Sequence, residues 1–227
     1  MKKLFVFAIM AMFTLATQAQ IVSSRSSRIT TTGSVGDYAV GNYDGWSTIY
    51  LQWNPSSFSQ EIGSSESFTG FSVGFNHAFS LTQSIPLYVE AGIGVQYSFW
   101  DGTYLRIPDC KIKLLSAKVP VSLMYKFDIP NSTISIVPNA GLDMRFNILG
   151  KLKNDDLNVT LDLFDKDDMK YGDVDISWNR FQIGWHVGVN FMFNNQFLVG
   201  ASYGTDFSEI AKNSKVHTGS ITLGYCF

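Results

Sequence analysis

Charged side chains are scarce in this chain. Asp, Glu, Lys and Arg make up 16% of the 227 residues, whereas an average soluble domain has about 25%. The formal net charge of -2 excludes a nucleic-acid binder that works through bulk positive charge, so we expect no nucleic-acid partner. Intrinsic disorder is excluded too, because 45% of the residues are hydrophobic. What is abundant is aromatic residues, at 15%, beside 19 glycines.

Cysteines are few, and long hydrophobic runs are absent beyond the first segment. The two cysteines, Cys110 and Cys226, are too few for a disulfide framework, and we expect Cys226 to pack as a small apolar residue. Beyond Gln20 no run of about 18 apolar residues occurs, which excludes a protein that crosses a membrane with helices.

The first segment of the chain has the features of a secretory signal peptide. Lys2 and Lys3 precede a short apolar stretch, and Ala19 ends a small-residue cleavage site. The sequence therefore predicts a signal peptide over residues 1–19, a flexible periplasmic leader over residues 20–44 that is rich in Ser, Thr and Gly, and one domain over residues 45–227.

From Gly45 onward the hydrophobic pattern has a period of two, which is typical of β-strands. In residues 87–100 the odd positions are all apolar, whereas the even ones are mostly small or polar. The same alternation marks eight segments: residues 46–53, 71–79, 87–100, 117–127, 134–148, 181–193, 197–207 and 218–227.

The connections between these segments alternate between long and short. The long ones are residues 54–67, 101–116, 149–179 and 208–215, and the short ones are residues 80–86, 128–132 and 194–195. Tight turns at one end and large loops at the other are typical of outer-membrane barrels. The sequence thus predicts an all-β fold, an eight-stranded antiparallel up-and-down transmembrane β-barrel surrounded by outer-membrane lipid.

A soluble lipocalin-like barrel or a β-sandwich is the alternative interpretation. It would turn the apolar face inward and need a charged outer face, yet the polar face here is mostly Gly, Ser, Asn and Thr. Aromatics also cluster near the strand ends, as in membrane-barrel girdles. They are Trp46, Phe79, Phe127, Phe193, Phe197, Tyr225 and Phe227 at the short-turn end, and Trp53, Phe99, Phe146, Phe181 and Phe207 at the loop end.

Three stretches resemble the porin-like outer-membrane β-barrel family of Gram-negative bacteria. They are residues 115–127 with the mid-strand Pro120, residues 137–141 with their Ala-Gly pair, and the closing residues 223–227. The resemblance implies a small barrel in the Gram-negative outer membrane. It also implies that Tyr225 and Phe227 form a C-terminal signal for the barrel-insertion machinery.

Six charged or ionisable residues, Lys126 among them, fall on the predicted inner face. Five of these are expected to form a polar network in the lumen: Glu90, Lys118, Asp143, Arg145 and His186. An eight-stranded barrel is only wide enough for its own side chains, and unpaired buried charge is costly. We therefore expect a plugged interior in which these groups pair, the alternative being a polar path for small solutes.

The connection over residues 149–179 is acidic, with eight Asp against four Lys. It lacks the glycine and distal Glu of a calcium loop. Its alternating Leu157, Val159, Leu161 and Leu163 favour a hairpin that extends beyond the membrane as an external finger for an extracellular partner. The commoner alternative is a solvated loop.

Evidence for catalysis is thin. The only grouping of suitable residues is His217 with Ser208 and Asp206 near the loop-side rim, so we expect no catalytic residues, no metal and no cofactor. The sequence favours a non-enzymatic envelope-structural or surface-interaction protein, and its alternative is a narrow porin-like channel for small solutes.

Overall fold

The computed structural model describes residues 44–59, 66–82, 85–104, 107–154, 156–171, 174–175, 177–211 and 214–227. The predicted signal peptide and all but the last residue of the predicted leader lie outside the described residues. In the described part of the chain, no helix is long and apolar enough to cross a membrane.

The described residues form thirteen strands. In chain order they are β1 (Trp46–Trp53), β2 (Ser56–Ser59), β3 (Glu66–Ser80), β4 (Leu87–Tyr104), β5 (Ile107–Tyr125), β6 (Phe127–Asp128), β7 (Ile134–Asn154), β8 (Val159–Asp162), β9 (Lys170–Tyr171), β10 (Val174–Asp175), β11 (Phe181–Phe193), β12 (Phe197–Asp206) and β13 (Lys215–Cys226).

Eight of these strands close into a ring. The order is β1, β3, β4, β5, β7, β11, β12 and β13, and β13 then pairs with β1; all eight pairings are antiparallel. Ile49 of β1, for example, lies opposite Tyr225 on one side and Phe75 on the other. The prediction of an eight-stranded antiparallel up-and-down barrel is confirmed.

The turn between β11 and β12 shows why one end of the barrel is tight. Asn194 and Asn195 have φ angles of 52° and 55°, and a two-residue hairpin turn of this kind needs positive φ at both central positions. Asparagine tolerates that conformation better than most residues. Short turns mark the periplasmic end of such barrels, so the opposite end is extracellular.

Three strands continue well past the predicted boundaries at the extracellular end. β4 runs to Tyr104, β5 begins at Ile107 and β7 runs to Asn154. The predictions of loops over residues 101–116 and 149–179 are therefore wrong in part. About 9 to 11 tilted residues cross a membrane, whereas β7 has 21, so the sheet extends beyond the lipid.

The outer face of the ring is apolar, as the alternation predicts. Leu51, Leu123 and Leu223 expose 54%, 50% and 53% of their surface, and a contiguous apolar belt of this kind is stable against lipid rather than water. In lipid every backbone N–H and C=O group must find a partner within the protein. Closure of the ring provides these partners, because it leaves no unpaired strand edge.

Most of the predicted girdle aromatics are exposed, but Trp46 is not one of them. Its ring centroid lies 4.6 Å from that of Tyr88, and it packs against the buried side chains at the periplasmic end of the lumen. Its placement in the girdle was wrong, because Trp46 has the parity of the inward-facing Thr48 and Tyr50 rather than that of Ile49.

Candidate functional site: the lumen and the extracellular cap

Inward-facing side chains fill the barrel in three layers. An apolar layer closes the periplasmic end, a polar layer occupies the middle, and a larger apolar cluster lies at the extracellular end. The periplasmic layer has two groups of buried residues joined through Trp46: Ala78, Tyr88, Met124 and Val137 in one, and Met192, Leu198 and Cys226 in the other.

The centre of the polar layer is Asp143 on β7. Lys118 Nζ lies 3.4 Å from its Oδ1, and His186 Nδ1 lies 3.0 Å from its Oδ2. A hydrogen bond of 2.9 Å joins His186 Nε2 to Ser122 Oγ, and Lys118 Nζ also donates to Gln52 Oε1 at 3.2 Å. The strand register brings these groups together, since β5, β7 and β11 are neighbours in the ring.

Arg145 forms the second ion pair of this layer, with Asp206 of β12. Both residues are buried. Sequence reasoning missed Asp206 here and assigned it to the rim. The signal was present, because Asp206 continues the inward parity of Ser202 and Gly204 along β12.

Glu90 lies apart from these ion pairs. On β3 its direct partner is Ala78, and Asn76 lies diagonally across from it. Of the five residues predicted for the lumen network, the structure thus brings Lys118, Asp143 and His186 into direct contact. It pairs Arg145 with Asp206, and leaves Glu90 outside both groups.

Glycines on the inner face make room for larger inward side chains. A Cβ atom added at Gly74 or at Gly94 would lie 2.5 Å from the Tyr50 hydroxyl oxygen. The glycine-rich inner face of β3 and β4 is therefore the surface on which Tyr50 packs.

Little free space remains in the polar layer. Its cavity has a volume of about 20 Å³ and is lined by Lys118, Asp143, Arg145, His186 and Asp206 among other residues. That is room for about one water molecule.

The extracellular cluster is the largest apolar core of the protein. Its buried members are Phe68, Trp100, Cys110, Ile112, Leu114, Leu152, Leu163, Met169, Trp178, Ile210 and Val216. They come from the upper ends of β3, β4, β5, β7 and β13 and from two connections. Cys110 lies in this cluster and Cys226 lies in the periplasmic layer, so the two cysteines are at opposite ends of the lumen.

The described part of residues 156–179, which we call the cap, folds onto this cluster. β8 pairs with the end of β7, so the predicted hairpin is present. Beyond it, Leu163 N donates to Gly150 O at 3.1 Å, and Trp178 N donates to Leu163 O at 2.7 Å. The predicted external hairpin is therefore present, but beyond Asp162 the chain folds back onto the cluster instead of projecting further. The alternative of a solvated loop is wrong, because Leu163 and Met169 are buried.

Five acidic residues of the cap lie on its outside. Asp156, Asp162, Asp165, Asp167 and Asp168 are all exposed. Some of them shape the chain locally: Asp162 Oδ1 accepts from Phe164 N at 2.9 Å, and Asp165 Oδ1 accepts from Asp167 N at 2.8 Å. Such side-chain turns are a common use of Asp. Among the described residues no group of three metal-ligating side chains is found.

The three residues of the predicted rim grouping, His217, Ser208 and Asp206, each contact a different partner. Asp206 binds Arg145 in the lumen. Ser208 Oγ accepts from Ile183 N at 2.9 Å, and His217 Nδ1 lies 3.4 Å from the Tyr203 hydroxyl oxygen.

Several solved structures of small outer-membrane proteins are similar to this chain. Ail of Yersinia pestis, in complex with the heparin analogue sucrose octasulfate, is 15% identical with a TM-score of 0.45, over 81% of this chain and 99% of Ail. The outer-membrane enzyme PagL is 12% identical with a TM-score of 0.45, over 77% and 97%. Neisserial surface protein A is 17% identical with a TM-score of 0.42, over 79% and 95%.

No family model and no curated protein matches the chain, so membership of the porin-like family stays a prediction. The fold follows from the strand order itself. The strands form a closed antiparallel ring with an exposed apolar belt. Tight turns lie at one end of the ring and an extended sheet at the other. These features are those of a protein of the Gram-negative outer membrane.

Proposed function

We propose that this protein is a non-enzymatic surface-interaction protein, in which a closed barrel holds a folded acidic cap outside the outer membrane. The observation that carries the proposal is the burial of Leu163, Met169 and Trp178 against the upper ends of the barrel strands. A connection that only joined two strands would need no such core.

The cap is held by backbone as well as by packing. Besides the β7–β8 pairing, Asn179 N donates to Ile210 O at 2.7 Å, which ties the end of the cap to the connection between β12 and β13. The Arg180 guanidinium lies 4.4 Å from the centre of the Phe164 ring. A segment fixed in this way loses little conformational entropy when it binds, which favours recognition.

The lumen argues for an anchor rather than a channel. A solute would have to displace the extracellular cluster, the polar contacts around Asp143 and the layer around Trp46 in turn. Buried charges are held in place because separating them is costly. We therefore expect no stable conductance from the reconstituted barrel in a planar bilayer, and a steady open channel would favour the alternative function.

We propose no catalytic activity, because the candidate catalytic side chains already contact other groups of the protein. His186 contacts Asp143 and Ser122 inside the plugged lumen, where no substrate has room. Asp206, which the sequence placed in the rim grouping, is bound to Arg145 in the lumen rather than to a histidine. An activated nucleophile requires a base within hydrogen-bond reach, and this rim trio does not provide one.

The exposed face of the cap favours a basic extracellular partner. Its carboxylates project from a rigid support, and complementary charge would speed and orient association. The direct test uses vesicles that carry the barrel with its cap outward and a fluorescent lysine-rich peptide as the probe.

We expect the Asp156→Asn/Asp167→Asn variant to bind this peptide several-fold more weakly than the wild type. The matched control is Asp101→Asn/Asp109→Asn, which removes the same charge from exposed positions on the β4–β5 hairpin. Equal binding by the two variants, or no binding by the wild type, would contradict the proposed role of the cap.

A further inference from the structure

Four lysines form a compact basic cluster on the outside of the barrel, at its extracellular end. Lys111 and Lys113 lie on β5, and Lys151 and Lys153 lie on β7. The two strands are neighbours, with Lys111 directly opposite Lys153 and Lys113 directly opposite Lys151. We call these four residues the lysine quartet. All are exposed, and with Thr160 they line a groove of about 350 Å³.

A β-bulge turns the two β7 lysines outward. Ser116 lies opposite Asn147 and Leu115 opposite Leu149, so Ile148 is the extra residue on β7. Such an insertion reverses the side-chain alternation beyond it. Below the bulge Arg145 and Asn147 face the lumen, whereas above it Leu152 faces inward and Lys151 faces outward. Without the bulge Lys151 and Lys153 would point into the extracellular cluster.

The quartet lies directly above the lipid-facing belt. Moving toward the membrane, the next outward residues on the two strands are Leu115 and Leu149, which lie opposite each other. Leu149 is exposed. Two residues of strand advance by about 7 Å, so the Lys113 and Lys151 Cα atoms lie about that far beyond the two leucines along the strands, and those of Lys111 and Lys153 lie about twice as far. The headgroup region is about 5 to 7 Å thick on each side of the hydrocarbon core, so the Lys113 and Lys151 pair lies at its level.

The four like charges of the quartet lie close together on the outer face. Like charges directly opposite each other destabilise a sheet, and here two such pairs are stacked along the strands. Asp101 lies opposite Lys111, and Asp162 lies opposite Lys151. Directly across the strands, two carboxylates therefore face the four ammonium groups.

We propose that the lysine quartet binds the phosphate groups of an anionic lipid headgroup in the outer leaflet. Lysine is a common phosphate ligand as a point charge, and basic groups beside a bilayer attract anionic lipids. The quartet faces sideways over the apolar belt rather than upward from the cap, which favours a lipid over a soluble anion. The inference depends on the orientation of the barrel and not on the partner proposed for the cap.

The test compares lipid binding by two double variants of the full barrel in detergent micelles. Lys113→Gln/Lys151→Gln removes the pair nearer the membrane. Lys166→Gln/Lys215→Gln removes the same charge from two exposed lysines elsewhere on the extracellular side. The probe is bisphosphorylated lipid A, with its dephosphorylated form and inorganic phosphate as the other arms.

We expect the quartet variant to bind bisphosphorylated lipid A roughly tenfold more weakly than the wild type and the control variant to bind it unchanged. Dephosphorylated lipid A should bind weakly to all three proteins. Heat-modifiable gel migration would establish that each variant is folded. Equal affinity of the two variants would overturn the proposal. Quartet-dependent binding of inorganic phosphate as tight as that of lipid A would overturn the lipid as the source of the anion.

Discussion

Arg145 of β7 reaches Asp206 of β12 across an intervening strand. Between them runs β11, which has Gly184 directly opposite both Asp143 and Asp206. A Cβ atom at Gly184 would lie 2.6 Å from Asp206 Oδ1, so the glycine leaves the space in which the carboxylate lies. The ion pair and the glycine are therefore two parts of one arrangement that ties three strands together.

Breaking this ion pair from one side should destabilise the barrel strongly. Arg145→Ala leaves the buried Asp206 carboxylate without its cation, which costs about 3–5 kcal/mol. We expect the midpoint of urea unfolding in lipid vesicles to fall accordingly, and the double variant Arg145→Ala/Asp206→Ala to recover part of the loss. The control is Asp128→Asn, which removes the partner of Lys126 where Asp128 is 62% exposed. It should cost at most about 1 kcal/mol, and an equal effect of the two single variants would contradict the prediction.

Gly184→Ala should destabilise the barrel through crowding. The added methyl group would press on Asp206 Oδ1 and lie 2.7 Å from Thr205 O, and overpacking of this kind costs about 1–3 kcal/mol. Gly219→Ala is the matched control, because the nearest atoms to its Cβ belong to Pro55 at 3.8 Å. Urea unfolding of both variants checks the expectation. If Gly219→Ala proved as harmful as Gly184→Ala, loss of backbone freedom rather than crowding would be the cause.

The barrel itself was predictable because strand pairing in a closed ring repeats one rule. Every strand alternates between lipid and lumen, so the outward positions of Leu51, Leu123 and Leu223 could be assigned from parity alone. Trp46 was assigned to the lipid-facing girdle because aromatic residues prefer strand ends, although its position in the alternation of β1 predicts an inward side chain.

The extracellular end could not be predicted in the same way. A single bulge at Ile148 changes which residues face outward, and its position depends on the fit of β7 against β5. The prediction for the acidic cap used its charges and the alternation that ends at Leu163, whereas its fold also depends on Met169 and Trp178, which lie outside that alternation. Their burial depends on long-range packing against Phe68 and Val216, for which no local pattern exists. Asp206, in contrast, could have been assigned to the lumen, because its inward parity along β12 was visible in the sequence.

Truncating Leu163 should open the cap without unfolding the barrel. Replacing a fully buried leucine by alanine costs about 2–5 kcal/mol, and this loss falls on a segment that unfolds locally. We expect trypsin to cleave at the exposed Lys166 at least about tenfold faster in Leu163→Ala than in the wild type. Heat-modifiable migration of the barrel should be unchanged. Leu157→Ala is the control, because Leu157 is 63% exposed and its loss leaves no cavity. Unchanged cleavage of Leu163→Ala would show that the cap does not depend on its core.

Phe227 makes two kinds of contact at the closing seam of the barrel, one through its backbone and one through its ring. Its backbone exchanges two hydrogen bonds of 2.9 Å with Ser47 of β1, and its ring is exposed on the outer face beside Tyr225. Phe227→Ala keeps the backbone bonds, so the loss of stability in vesicles should match that of Phe197→Ala, an exposed aromatic at the same end. If Tyr225 and Phe227 form an insertion signal, only Phe227→Ala will reduce the amount of assembled barrel in the outer membrane of cells several-fold. Heat-modifiable migration of membrane fractions measures that amount, and equal assembly of the two variants would show that the terminal ring serves only the lipid-facing surface.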